Sequence, residues 1–454
     1  MLGSIPNERL QEALNAGSDL ARTLLDELAA RTADPPGVTR IAYGAGERDA
    51  CDMMAKAAGA WHADIVFDFA GNQIISVPGL DRSRMICIGS HLDSVPHGGN
   101  FDGAAGVVLG LAAQAVMAHL DRQPIFDLVV LCLRAEESCW FPHSYIGSKT
   151  ALGRLDPSVL DTVRRSDSGR TLADHMREEG FDPDAVREGR RVIDPARIAA
   201  FLEPHIEQGP ILVADNAPLG LVTDIRGSFR FRDARCFGTY AHSGATPLAL
   251  RRDAMVATAE LIMAMQSEWE RLERAGHDLV VTFGEVGTDP ARHGFSIVPG
   301  ETRLCIDVRS RDQVTLDRAR TGLVALSHDI AARRQVRFEL GPVTTSAPTA
   351  MSRPLLKRLE TAAKSCGIDP RIMQSGAGHD AATFAQAGVP SGMIFIRNEK
   401  GSHNPDEDMD WADFNRALAL VMALMDQPAE LWPPGGRGTG DGREADGAGE
   451  SGTD

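Results

Sequence analysis

Two short aliphatic runs, RMICIGS (84–90) and DLVVLCL (127–133), stand on either side of a stretch of small and aliphatic residues from Gly103 to Leu120. The runs are strand-length and β-rich, the pattern of strands buried on both faces, and the stretch between them has helical length. Strand, crossover helix and strand in that order make a parallel pair with the helix laid across it. FLEPH (201–205) and Met393 to Ile396 repeat the strand pattern. Two further helices are expected, Ser18 to Arg31, with Leu20, Leu24, Leu25 and Leu28 on one face, and Trp411 to Met425. The sequence predicts an α/β fold whose mostly parallel sheet is flanked by helices.

The texture changes between 222 and 345. FRFRDARCFGTY alternates, LVVTFGEV and RLCIDVR read as half-exposed strands, and Met255 to Arg274 is a long helix. That mixture points to a smaller α+β domain inserted into the first. The expected division is 1–221 and 346–432 for the larger domain and 222–345 for the insertion. Beyond Trp432, the run PPGGRGTGDGREADGAGESGTD has no apolar anchors to offset the entropy of ordering, so 433–454 reads as a disordered tail.

Composition then narrows the function classes. With 454 residues, 43% of them apolar, the chain can bury a large core and make two or three domains. The formal net charge of −16 gives no general attraction to phosphate backbones or anionic lipid, which argues against nucleic-acid and membrane partners. No apolar run reaches the roughly 20 residues of a membrane helix. The best candidate, Gly106 to Leu120, contains Gln114 and His119 and reads as an amphipathic helix. MLGSIPNERL has neither the basic flank nor the apolar block of a secretory leader. Seven scattered cysteines without CxxC pairs fit a reducing cytoplasm rather than a disulfide framework or zinc ribbon.

Metal-type side chains gather where the expected strands end. His91 and Asp93 lie in SHLDS, Asp102 in GGNFDG before a helix, and Glu136 and Glu137 after the 127–133 run. His205 and Glu207 close FLEPHIE, and His403 sits in GSHNPDE. Singly, each has an ordinary reading: a surface or core histidine, a helix N-cap, a solvated strand end. Together they count for more, because ligands in open α/β sheets collect beyond the carboxyl ends of strands. Three imidazoles and two carboxylates there suit two borderline divalent ions, about 3.5–4 Å apart where a carboxylate bridges them. One further carboxylate is left to act as a general base.

SHLDSVPHGGNFDGAAGVVLGL, AEES, EPHIEQGPIL, GTYAHSGATPLALRRDA, SGAGHDA and GSHNPDE resemble, in the same order, the motifs of a dinuclear amidohydrolase family. That family holds N-carbamoyl-L-amino-acid hydrolases, allantoate amidohydrolases and β-ureidopropionases, and is related to the co-catalytic metal aminopeptidases. The resemblance covers roughly residues 15 to 430. HIEQG and SGAGHDA set this ureido branch apart from the peptidases better than HxD does. The resemblance implies that His91, Glu137, His205 and His403 are metal ligands around a bridging Asp102. It implies that Asp93 fixes the His91 imidazole and that Glu136 is the general base. The larger domain would be catalytic and the insertion a lid and dimer interface. His242 would stabilise the oxyanion, Arg309 would fork onto a substrate carboxylate, and Gln208 would line the substrate pocket. His242 and Arg309 also have plain readings, as a turn histidine and a strand-end charge.

Three motifs depart from the family pattern. Ureido-branch members commonly read EEGSRF where this chain has Glu136, Glu137, Ser138, Cys139, Trp140 and Phe141, so Trp140 stands in place of an arginine. Ser296 stands where an asparagine is usual, and GGRYDG has become GGNFDG, with Asn100 and Phe101. Trp140 and Ser296 are therefore candidate substrate contacts in a shifted, more aromatic pocket, although a buried tryptophan is also an ordinary packing residue. Cys139 is expected to be a small buried residue rather than a nucleophile.

The expected activity is hydrolysis of linear carbon–nitrogen bonds other than peptide bonds, in N-carbamoyl-L-amino acids or related ureido acids. It would use two divalent ions (zinc, manganese, cobalt or nickel) in a cytoplasmic homodimer acting on a small carboxylate-bearing substrate. An amidohydrolase of N-acyl or conjugated amino acids, or a dipeptidase, is the second reading. A binding protein that kept the fold is the third, and Glu136 speaks against it.

Overall fold

The computed structural model describes residues 6–432. The segment expected to be a disordered tail lies outside the described residues. The chain divides into two compact units: residues up to Thr223, Met351–Met373 and from His379 onward form one, and Asp224–Ala350 with Gln374–Gly378 form the other.

The larger unit is built on a twisted sheet whose four central strands are parallel. In spatial order they are Ser391–Ile396, Ile198–Ile206, Asp81–His91 and Phe126–Leu133. Antiparallel strands flank them, Gln73–Val77 and Asp64–Phe67 beyond Phe126–Leu133, and Leu219–Ile225 against Ser391–Ile396. Phe126–Leu133 and Ile198–Ile206 are buried along their whole length, as strands covered on both faces must be. The fold is α/β, as the strand–helix–strand order requires.

Helix Ala104–His119 crosses between Asp81–His91 and Phe126–Leu133, and it differs from expectation. It is buried almost all round, not amphipathic, because helices Asn7–Arg31 and Trp411–Met425 cover the side turned away from the sheet. Gln114 is tolerated inside because every end is bonded: its Nε2 donates to the carbonyls of Ile75 and Leu128 at 3.0 Å, and its Oε1 accepts from Trp61 Nε1 at 3.2 Å. Gly106 lets the helix lie flat on the sheet, since a Cβ there would stand 2.0 Å from the Pro204 carbonyl oxygen. Helix Asn7–Arg31 begins eleven residues before the stretch whose leucines announced it; its first turns carry few apolar residues.

The smaller unit is a five-stranded antiparallel sheet in the order Val280–Thr288, Glu301–Ser310, Gly227–Phe237 and Arg337–Glu339, with Val343–Ser346 also on Gly227–Phe237. Helices Ala254–Arg274 and Gln313–Arg334 pack on one face, where Phe229, Leu261, Met265, Leu304, Ile306 and Leu323 form its own core.

Candidate metal centre and active site

In the larger unit, the parallel strands and the loops after them deliver His91, Asp102, Glu136, Glu137, His205 and His403 to one place. Asp102 lies between two groups of ligand atoms. Its Oδ1 faces His205 Nε2 at 3.1 Å and His91 Nε2 at 3.8 Å; its Oδ2 faces His403 Nε2 at 3.2 Å. Glu137 Oε1 lies 3.2 Å from the same His403 atom. The ligand-type atoms thus form two triplets, His91–Asp102–His205 and Asp102–Glu137–His403, sharing one carboxylate. A third group, Glu203–His205–His379, lies beside the first.

The donor set fits divalent ions. Asp102 Oδ1 is buried, with His205 Nε2 at 3.1 Å and His91 Nε2 at 3.8 Å beside it, a carboxylate oxygen and two imidazole nitrogens of the kind that a borderline divalent ion takes. His91 Nδ1 contacts the Asp93 carbonyl at 3.0 Å and His205 Nδ1 the Ile206 carbonyl at 2.8 Å. Those contacts take the Nδ1 hydrogens and leave both Nε2 atoms as ligands. Without ions the imidazoles answer the surrounding negative charge. Asp102 and Glu137 hold His403 up to about pKa 11, and burial of His91 is outweighed by Asp93, Glu136 and Asp102, which raise it well above its usual value. Gly103, at φ 66°, makes room for His91: a Cβ there would lie 2.5 Å from the ring.

The paired glutamates sit on a fastened turn. The Asp93 carboxylate, expected to steady His91, takes the amides of Glu136 (Oδ1, 3.1 Å) and Glu137 (Oδ2, 3.1 Å). Its own Oδ1 is 3.5 Å from His91 Nδ1. The preceding Ala135 is left-handed at φ 52°, and its amide donates to Glu47 Oε1 at 3.1 Å. Glu47 Oε2 accepts from Arg134 Nε at 2.5 Å and the Tyr43 amide at 2.6 Å, all of it buried. Glu136 reaches within 4.0 Å of His91 Nε2. Burial, with Glu137, Asp380 and Asp93 nearby, pushes its pKa well above the ordinary carboxylate range against the pull of His91. Burial with a specific charged partner is the environment in which acid–base residues of active sites are found.

Other expected residues fall in different places. Gln208 is left-handed at φ 63°; its Nε2 donates to Asp102 Oδ2 at 2.9 Å while its buried Oε1 has no hydrogen-bond partner. Glu207 is not part of the cluster, because its carboxylate caps helix Ile211–Ala214 through the amides of Ile211 and Leu212 at 2.7 and 2.8 Å. Trp140 packs in a core with Tyr43, Phe141 and Ile146 and donates Nε1 to the Ser94 carbonyl at 2.7 Å. Cys139 is exposed rather than buried, and desolvation with nearby carboxylates pushes its thiol pKa upward, away from a nucleophilic thiolate. Asn100 bonds the buried Arg40 guanidinium (3.1 Å) and the Leu25 carbonyl (2.9 Å).

Within the smaller unit, His242 and Ser296 are neighbours. His242 pairs with Ile297 across a two-residue ladder, and the Ser296 carbonyl accepts from the Ser243 amide at 2.9 Å. His242 Nδ1 accepts from the Ala245 amide at 3.1 Å, which places the ring hydrogen on the exposed Nε2. Arg309 is braced by Asp307 (Nη2 to Oδ2, 2.9 Å) and donates Nη1 to the Gly376 carbonyl at 2.8 Å, so it is tied to the SGAGHDA segment.

The reading of the sequence passed over Glu47, Arg134, Ser402 and Glu407. Glu407 Oε1 accepts from the amides of Phe101 (2.8 Å) and Asp102 (3.1 Å), and Oε2 from Ser402 Oγ at 2.6 Å. Its signal was present in GSHNPDE, four residues past His403. Glu47 had none, since nothing in its neighbourhood relates it to residue 135.

A metal-ligating set on a parallel sheet with an inserted α+β unit defines a class of two-domain hydrolase, and comparison with known proteins gives the family. Residues 87–427 match the model of peptidase family M20/M25/M40. The chain belongs to that family. It is 33% identical to an N-carbamoyl-L-amino acid amidohydrolase of Geobacillus stearothermophilus over 375 residues, 82% of this chain and 88% of that one. It is 32% identical to an allantoate amidohydrolase of Escherichia coli over 403 residues, 86% and 93% of the two chains. The crystal structure of a hydantoinase/carbamoylase family amidase from Burkholderia multivorans superposes with a TM-score of 0.77 at 26% identity, covering 90% of this chain and 97% of that one.

Proposed function

We propose that this protein is a metal-dependent hydrolase of linear C–N bonds, with N-carbamoyl-L-amino acids or related ureido acids as substrates. The observation that carries the reading is Asp102, whose two oxygens face two separate sets of ligand atoms. His91 and His205 would hold one divalent ion and Glu137 and His403 a second, with Asp102 between them; zinc, manganese, cobalt and nickel all suit mixed imidazole and carboxylate donors. Such ions polarise a substrate carbonyl and acidify water. Glu136 takes the proton of the attacking water on its carboxylate and hands it to the leaving nitrogen. Asp93 keeps Glu136 and Glu137 in register by holding both amides. His242 offers Nε2–H to the developing oxyanion, Arg309 binds the substrate carboxylate and Gln208 contributes a polar group. Ser296 acts through its main chain, shaping the His242 loop. Trp140 packs among Tyr43, Phe141 and Ile146 with its indole N–H on the Ser94 carbonyl, which favours its plain reading as a packing residue.

We assign the smaller unit the roles of lid and dimer interface. Val280–Thr288 ends its sheet with an unpaired edge, and Val256 and Met263 are exposed on helix Ala254–Arg274. The free state of all seven cysteines supports a cytoplasmic setting.

The test loads the protein with manganese, cobalt or zinc in parallel and assays N-carbamoyl amino acids and allantoate against N-acetyl, N-aroyl and dipeptide versions of the same acids. Cleavage of the ureido compounds with release of ammonia is expected. Cleavage of the amides alone would replace the ureido assignment with the N-acyl one.

A further inference from the structure

The loop that carries His403 has little to hold it. Lys400, Gly401 and His403 are all left-handed, at φ 64°, 71° and 59°, a costly run for two residues with side chains. The His403 side chain is half exposed, whereas those of His91 and His205 are buried. Asn398 and Asn404 donate within the loop, to the carbonyls of Gly401, Lys400 and Ser402, and Asn398 Oδ1 accepts from the Gln208 amide at 2.9 Å. The loop's connection to the Asp102 and Glu407 carboxylates is Ser402, whose hydroxyl lies 2.7 Å from Asp102 Oδ2 and 2.6 Å from Glu407 Oε2. Glu407, buried, holds the Asp102 loop by two amides with its other oxygen. Gly99 gives it space: a Cβ there would stand 2.2 Å from its carboxyl carbon.

We propose that Glu407 is a positioning residue that couples the Asp102 and His403 loops, through Ser402, and so fixes the ion position formed by Asp102 Oδ2, Glu137 and His403. The proposal rests on the two-ion reading above. The other position shares Asp102 but takes its two imidazoles from the strands Asp81–His91 and Ile198–Ile206, which the bracket does not touch. Without Glu407 the exposed triplet, which loses the hold on both Asp102 and His403, should loosen more than the buried one, which keeps both of its imidazoles.

The hydrogen count gives a discriminating variant. Ser402 has one hydroxyl hydrogen for two carboxylate oxygens. A glutamine at 407 can accept from both amides with its Oε1 and donate its Nε2–H to Ser402 Oγ, freeing the hydroxyl hydrogen for Asp102. Glu407→Gln should therefore preserve the bracket that Glu407→Ala destroys, and Ser402→Ala should break it on the other side.

Metal-free protein and each variant would be titrated with Co²⁺, reading stoichiometry by calorimetry and ligand geometry from the visible absorption of the bound ion. Wild type is expected to take up two equivalents. In Glu407→Ala and Ser402→Ala one equivalent should weaken at least tenfold and the other stay within about threefold, with Glu407→Gln close to wild type. A melting temperature of the metal-free variants close to wild type separates positioning from general destabilisation; if Glu407→Ala does not fold, Ser402→Ala carries the test. Two equivalents of unchanged affinity, or equal weakening of both, overturns the proposal and leaves the two-ion reading standing. Loss in Glu407→Gln as large as in Glu407→Ala also overturns it, since charge rather than the bracket would then matter. A single equivalent in wild type removes the two-ion reading, and the proposal with it.

Discussion

The Asp102 cluster of the larger unit and the His242 hairpin of the smaller one are held in opposite ways. Around Asp102, ligand-type side chains come from strand ends and loops far apart in sequence, and buried carboxylates tie their backbones: Asp93 holds 136 and 137, Glu47 holds 135, Glu407 holds 101 and 102. Around His242 there is a two-residue ladder, one amide on the ring and an exposed donor. A group that must face a fixed charge needs a preorganised shell, and here the backbone amides of that shell are fastened by buried carboxylates. A group that meets a substrate has to stay open, so its local structure is slight and its energetic stake in the fold is small.

That contrast can be broken, and the largest effect comes first. Glu136→Gln should keep the bound metal and lower turnover by about 10²–10⁴-fold, the usual worth of a general base. Metal content measured beside activity decides it, and unchanged turnover would remove Glu136 from the chemistry. His242→Ala should cost about 10²–10³-fold in kcat, as for loss of one oxyanion donor, with metal content and melting temperature unchanged. A large drop in melting temperature would instead make the hairpin a structural element like the buried cluster.

Ion uptake should depend on pH through the cluster and hardly at all through the hairpin. In the metal-free protein Asp102 and Glu137 hold His403 up to about pKa 11, so it carries a proton at neutral pH that a metal must displace. Binding then releases protons and weakens as pH falls, by about tenfold per unit for each proton displaced. Calorimetry in two buffers of different ionisation enthalpy counts those protons, and a count of zero would contradict the charge state assigned to the cluster. The smallest effect belongs to Trp140→Phe, which removes the bond to the Ser94 carbonyl from a buried core and should cost about 1–3 kcal/mol of stability. Substrate preference should stay the same; a changed preference would return Trp140 to the pocket.

Much of this was legible in the chain. The strand patterns of 84–90, 127–133 and 201–205 and the helix between the first two carried the α/β fold, because burial on both faces leaves a continuous apolar run that local sequence displays. His91, Asp102, Glu137, His205 and His403 were legible as a set since each stands where such a strand or its loop ends. Ala104–His119 was misread because its polar Gln114 looked like a solvent face, and only the carbonyls of Ile75 and Leu128 and the indole of Trp61 make that residue an interior one. Glu207 stands at a strand end beside His205, yet its carboxylate caps a helix, and Trp140, a departure from the family motif, gives its indole N–H to the Ser94 carbonyl; neither partner is visible in the local sequence.

Sequence alone determined which elements form and which side chains stand at their ends, because hydrophobic period and turn chemistry act over a few residues. Tertiary structure decided which of those side chains face one another, and which carboxylates hold ligands and which hold backbone. Asp93 and Asp102 are the same chemical group nine positions apart, yet one grips two amides and the other lies between two triplets of ligand atoms. That assignment depends on partners 30 to 300 residues away, brought near by the sheet, and no local pattern encodes it.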